Sequence, residues 1–142
     1  MILKIKLLPD KEQSNVLLDT LKEANSACDI ISETAFSKRL FNQFKLHKET
    51  YHIVKSSYSL SAQMVIRCIS KVADSYKLDK KCKRIFKPLG SIAYDSRILS
   101  YKSNDIASIW SVKGRIIIPF ICHNRNYLPY IKGEADLVFR KG

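Results

Sequence analysis

Leu17, Leu21, Ala24, Cys28, Ile31 and Ala35 recur at spacings of 4, 3, 4, 3 and 4. Only an α-helix returns positions spaced this way to one face, so the chain from the turn at Pro9 through Ala35 must form a long helix burying that stripe. Pro9-Asp10-Lys11-Glu12 opens it: proline is tolerated in a first turn, and acids there suit the helix dipole. Ahead of it, Ile2, Lys4 and Lys6 alternate with Leu3, Ile5 and Leu7, the two-residue period of a short strand ending near Leu8.

A second, shorter helical stretch surrounds Tyr51 to Lys55. A third helix starts at Ser59 or Ser61, either one a suitable N-cap, and runs to about Leu78. On it, Val65, Ile69, Val72 and Tyr76 share one face and should pack on the first helix. Gln63, Arg67 and Lys71 cluster almost opposite, which presents them to solvent or to a ligand. An amide, a guanidinium and an ammonium on successive turns suit base edges and phosphates. Pattern alone favours the plainer reading, an ordinary solvated face.

From Ser91 the period changes. Ile92 and Tyr94, then Ile98 to Tyr101, read as extended. Ile106 to Val112 alternates, Lys113-Gly114 supplies a two-residue turn, and Arg115 to Ile121 returns as an apolar strand. Pro119 within it implies an edge or a bulge. Gly133 precedes a last strand, Glu134 to Phe139. The expected class is α+β, a small oligonucleotide-binding-like β-barrel with a helical insertion after the first strand. Residues 1–8 and 88–142 would form the barrel and 9–87 the insertion. Lys141-Gly142 is a turn signal with no return strand after it, which leaves a ladder edge for a continued reading frame or another protein to complete.

Charge separates the halves. Residues 1–60 carry nine Lys/Arg and seven Asp/Glu; residues 61–142 carry sixteen and six. Arg67, Lys71, Lys77, Lys80, Lys81, Lys83, Arg84 and Lys87 fall in one run that holds only Asp74 and Asp79. With a net charge of +12 over 142 residues and pI near 9.6, the expected partner is a polyanion, nucleic acid first among them. A solvated cationic surface is the plainer alternative.

Other classes find little support. No apolar run approaches the ~20 residues of a membrane span, and lysines interrupt the apolar start, unlike a signal peptide. Cys28, Cys68, Cys82 and Cys122 include no C-x-x-C, His47, His52 and His123 no H-x-x-x-H, and no Gly-rich phosphate loop occurs. The reading is therefore a cytoplasmic chain with reduced, mostly buried cysteines and without metal or cofactor.

Four segments carry a family resemblance: Lys6 to Asp29 with its Leu-x-Pro-x-x-Glu-Gln opening, Leu60 to Lys77 with Ser-x-Gln-x-x-x-Arg, Ser91 to Arg97, and Gly114 to Phe120. In order, and over essentially the whole chain, they resemble the N-terminal half of TnpB-type (OrfB) transposon-encoded RNA-guided DNA nucleases, which are similar to type V CRISPR effectors. The resemblance implies a wedge-type barrel interrupted by a helical recognition insertion that grips guide RNA and reads a short DNA motif beside the target. The family's Tyr, Gln and basic readers match Tyr51, Gln63 and Arg67 by position. Its RNase H-like nuclease and zinc-binding cysteine pairs lie C-terminal to this region and are not in this sequence. Asp95, Asp105, Glu134 and Asp136 form no two-metal pattern.

The expectation is a transposase segment that binds DNA and structured guide RNA without cutting. Contacts are assigned to Tyr51, Gln63, Arg67, Lys71, Lys77, Lys80, Lys81, Lys83, Arg84 and Lys87, with a separate nuclease-bearing chain as a further partner. The alternatives are an enzyme whose active site escapes the pattern, an interaction module that completes its open edge with another chain, and a remnant without function.

Overall fold

The computed structural model describes residues 3–103, 105–122 and 134–140. The order is β1 (Lys6–Leu7), α1 (Lys11–Ser37), α2 (Gln43–Ser57), α3 (Ala62–Leu78), β2 (Ile92–Tyr94), β3 (Leu99–Ser103), β4 (Ile106–Ser111), β5 (Gly114–Ile121) and β6 (Ala135–Leu137). The protein is thus α+β. The turn signals Gly133 and Lys141-Gly142 lie outside the described residues.

α1 begins where its chemistry demands. Asp10 is the N-cap, accepting from the Gln13 N–H at 2.8 Å, while the Gln13 side chain accepts from the Asp10 N–H at 3.1 Å. This capping box satisfies two otherwise orphaned donors. Every residue of the stripe from Leu17 to Ala35 is buried, as are Val65, Ile69, Val72 and Tyr76 of α3. The three helices pack on one another around this core, with Leu46, Thr50 and Val54 as the buried residues of α2.

α1 ends in a Schellman motif: Leu40 N–H donates to Ala35 O at 2.8 Å and Arg39 N–H to Phe36 O at 3.3 Å. Glycine is the usual residue at the left-handed position. Here it is Arg39, with φ +51°, the one positive φ outside glycine among the described residues. That conformation costs a non-glycine residue ~1–2 kcal/mol. The guanidinium sits 5.3 Å from the Phe36 ring centroid and 5.0 Å from that of Phe41, and such cation–π contacts return ~0.5–1 kcal/mol each.

The described strands form an open four-stranded sheet, β1-β5-β4-β3, all antiparallel, and a separate β2–β6 pair. A closed barrel is not seen among the described residues. Among the described residues β1 and β3 lie at the sheet's edges, and β2 packs against α3 instead of joining them. The first strand nevertheless returns across the helices to the distal sheet, Lys6 opposite Ile121 and Leu7 opposite Phe120. Its inward residues Leu3, Ile5 and Leu7 pack on a small second cluster of Ala107, Phe120 and Cys122.

Two strand details differ from expectation. β5 is central, yet Pro119 lies inside it. The Pro119 carbonyl accepts from Leu8 N–H at 2.7 Å, so the proline nitrogen also faces β1, and the β1 ladder ends there. The hairpin turn is Val112–Lys113, because Ser111 pairs with Gly114. Gly114 takes the left-handed position at φ +90°. Tyr94, buried in β2, donates to Trp110 O at 2.8 Å and joins the two sheets; burial pushes its phenol well above the ordinary value.

A Cβ at Gly114 would meet nothing nearer than a Trp110 ring carbon at 4.0 Å, so the cost of a side chain there is backbone strain. Gly114→Ala is expected to lower stability by ~1–2 kcal/mol without changing the fold, as measured by urea denaturation.

Candidate nucleic-acid interface

Residues 79–91 link α3 to β2, and their course is set by side chains. Residues 84–90 belong to no helix or strand, so their backbone groups must find hydrogen-bond partners elsewhere. Three α1 residues at spacings of 4 and 3, Asn25, Asp29 and Ser32, provide them. Asn25 Nδ2 donates to Pro88 O at 3.2 Å and Gly90 O at 2.9 Å, and Asp29 Oδ1 accepts from Phe86 N–H at 2.7 Å. Ser32 Oγ donates to Arg84 O at 2.6 Å, while Arg84 N–H donates to the Tyr76 hydroxyl at 2.9 Å. Ser32 and Tyr76 meet at 2.7 Å, which closes a ring of three hydrogen bonds between fully buried hydroxyls and one backbone unit.

Pinned in this way, the strap alternates from Lys83 to Lys87: Arg84 and Phe86 turn partly inward while Lys83, Ile85 and Lys87 face out, and on the bend before them Lys81 and Cys82 are both exposed. Two extended residues advance ~6.6 Å, so the outward lysines form a spaced cationic row. Lys83 also pairs with Glu33 at 2.7 Å, and the hydrogen bond to that carboxylate raises the lysine pKa. Lys80 lies with its Nζ 5.7 Å from the Phe41 centroid. Lys77 is paired with Asp74, one turn back.

The α3 polar face is not turned to solvent. β2, the turn after it and the strap pack over it. Gln63 Nε2 donates to Asp95 Oδ2 at 2.6 Å, and Arg97 Nη1 donates to Gln63 Oε1 at 3.2 Å. Arg67 pairs with Glu134 at 3.0 Å. Lys71 Nζ donates to Ser91 O at 2.6 Å and Asn25 Oδ1 at 3.0 Å, and lies 5.2 Å from the Phe86 centroid. These three side chains tie the strap and the β2–β6 pair to the helices. Arg84 is likewise half-buried, its Nη2 donating to Asp79 O at 3.4 Å. Tyr51 is half-buried on α2, stacked on His47 with centroids 4.7 Å apart. The ten sequence-derived positions therefore divide into an internal set and an outward set of Lys80, Lys81, Lys83 and Lys87, with Lys77 nearby at the end of α3.

Sequence reasoning placed the second helix only around Tyr51 to Lys55 and missed the basic face of α2. The helix runs fifteen residues, and at 100° per residue Lys45, Lys48, His52 and Lys55 fall within about 80° of arc on its outer face. The signal was present in their spacing of 3, 4 and 3. Phe44, at the margin of that face, is 69% exposed, with Lys48 Nζ 4.7 Å from its centroid. Among the described residues no group of three His, Cys, Asp or Glu side chains could hold a metal ion, and no helix is long and apolar enough to cross a membrane. Cys28, Cys68 and Cys122 are buried and Cys82 exposed, all as free thiols; hydrogen bonding to Cys68 and burial hold Cys28 well above the ordinary thiol pKa.

No protein-family model matches the chain, and no curated protein matches it.

Asn25 is the strap's main anchor and is itself buried. Asn25→Leu strands two carbonyls and removes one of the two hydrogen bonds of the Lys71 ammonium, and should cost ~2–4 kcal/mol. Tryptic cleavage after Lys81, Lys83 and Arg84 should accelerate in parallel; unchanged cleavage would show that the strap is held by other means.

Proposed function

We propose that the chain is a nucleic-acid-binding module, the guide-RNA- and DNA-gripping segment of a TnpB-like transposase, working in the cytoplasm and binding without cutting. The observation that carries the binding reading is the strap: a buried hydrogen-bond network holds a run of outward lysines in fixed register, which a merely solvated charge run does not need. The basic face of α2 adds a second cationic surface. The TnpB-like assignment is supported by the four sequence segments. The oligonucleotide-binding-like reading of the strands is supported by β1 returning across the helical insertion to β5.

Backbone grip is assigned to Lys80, Lys81, Lys83 and Lys87, with Lys45, Lys48 and Lys55 of α2. Gln63, Arg67 and Lys71 act as positioning residues, because base-edge reading by Gln63 would require Asp95 and Arg97 to release its amide. A second reading, an edge that pairs with another chain such as a separate nuclease, is favoured by Val138 and Phe139, which are 51% and 43% exposed just beyond β6.

Binding to structured RNA or duplex DNA should fall in the nanomolar-to-micromolar range. With ~6 phosphates neutralised, the log–log salt slope on duplex should be near −5. Lys81→Ala and Lys87→Ala should each remove ~1 unit of slope and weaken all sequences alike. Fluorescence anisotropy across a salt series reads both, and a flat salt response overturns the proposal. Gel filtration of the chain alone, giving a stable self-pair with no nucleic-acid binding, would establish the edge-pairing reading instead.

Incubation with Mg²⁺ or Mn²⁺, with and without RNA, should leave supercoiled DNA intact. Metal-dependent nicking that co-purifies with the chain and vanishes on its removal would show a catalytic centre.

A further inference from the structure

One end of the helical bundle carries aromatic rings and cations together. Arg39 lies against Phe36 and Phe41, and Lys80 approaches the same Phe41 ring from the strap. Two cations around one ring repel each other, and neither forms an ion pair with a carboxylate among the described residues. Lys38, next in sequence, is paired with Glu49. Three residues past Phe41, Phe44 is exposed, with Lys48 over its ring. Asn42 between them caps α2, accepting from the N–H groups of Phe44 and Lys45 at 3.0 and 3.2 Å, and Gln43 donates to Ser70 Oγ at 2.6 Å. The exposed ring is therefore carried on anchored backbone.

Neither feature is required by the fold: the cation–π contacts of Arg39 do no more than offset its strain. Phe44 belongs to no core cluster, and the Schellman position of Arg39 is one where glycine would sit without strain. An exposed aromatic ring three residues along the chain from a ring flanked by two cations without carboxylate partners fits a strand whose bases are unpaired: bases stack on the ring and phosphates meet the cations. A duplex keeps its bases stacked inside and gains nothing from Phe44.

We propose that this end of the bundle binds a single-stranded stretch of nucleic acid, with Phe44 as the stacking platform and Arg39 and Lys80 on the adjoining phosphates. The proposal rests on the nucleic-acid-binding reading above and adds the form of the ligand.

The test compares oligo-dT with the corresponding dA·dT duplex, using wild type, Phe44→Ala and Arg39→Gly. Phe44→Ala should lose ~5- to 150-fold in affinity for the single strand and change duplex affinity by less than about twofold. Arg39→Gly should lower the single-strand salt slope by ~0.7, with a melting temperature no lower than wild type. Equal losses on both ligands, or none on either, would overturn the proposal, as would Arg39→Gly that melts lower and binds unchanged. Wild type that binds duplex but not single strand sinks this proposal and leaves the proposed function standing; binding to neither removes both.

Discussion

The ring of hydrogen bonds joining Ser32, Tyr76 and the Arg84 peptide is the constraint around which the molecule is arranged. Polar groups inside a packed interior are tolerated only when each has a partner, and an unmade bond there costs ~1–3 kcal/mol. Ser32 lies beside the apolar stripe of α1 and Tyr76 on the inner face of α3, so their hydroxyls meet only if the helices are correctly docked. The Arg84 backbone then completes both. Helix packing and strap placement are thereby coupled: the two hydroxyls bond each other, but the Ser32 proton and the Tyr76 lone pair gain their Arg84 partners only when residues 79–91 take this path, and that path directs Lys81, Lys83 and Lys87 outward.

The same economy explains why three of the eight cations between Arg67 and Lys87, namely Arg67, Lys71 and Arg84, are not on offer to a partner. Lys71 is drawn inward by the Ser91 carbonyl and the Asn25 side chain, which would otherwise be short of partners. Arg67 and Gln63 meet Glu134, Asp95 and Arg97 where β2 and the turn after it lie over α3. Net charge counts all of these equally. Burial does not, since a cation already hydrogen-bonded inside the protein releases few counterions when DNA approaches.

The helical core was legible because the 3.6-residue period leaves a mark that no other structure makes: every residue of the α1 stripe and of the α3 apolar set is buried. The polar face of α3 was misread for a definite reason. A helical wheel tells which side is apolar, but not what later segment docks on the other side, and here β2 begins fourteen residues past the end of α3. α2 was read short because only Leu46, Thr50 and Val54 are buried along fifteen residues, too thin a stripe beside so many lysines. The hairpin turn was placed one residue late because Gly114 is the residue after the turn, taking the left-handed position, rather than part of it. Asn25, Asp29 and Ser32 carried a readable 4 and 3 spacing, but polar residues along a helix ordinarily mean solvent, and only the strap's backbone shows otherwise.

Concentrating like charge on the strap, on α2 and at the bundle end has a thermodynamic consequence. Lysines held in register repel one another in the free protein, and this self-repulsion works against the fold that creates the row. On the proposed nucleic-acid-binding reading a polyanion would relieve it, and part of the binding free energy would be the return of stability that the free chain gives up. Ligands that bind only the native state raise stability by ~2.7 kcal/mol at a hundred times the dissociation constant. The buried ring at Arg84 is what allows this arrangement to persist unliganded, since it fixes the strap through groups that salt does not screen. The cationic row can therefore remain a pre-formed surface, and the cost of ordering the strap is met in folding instead of at the moment of binding.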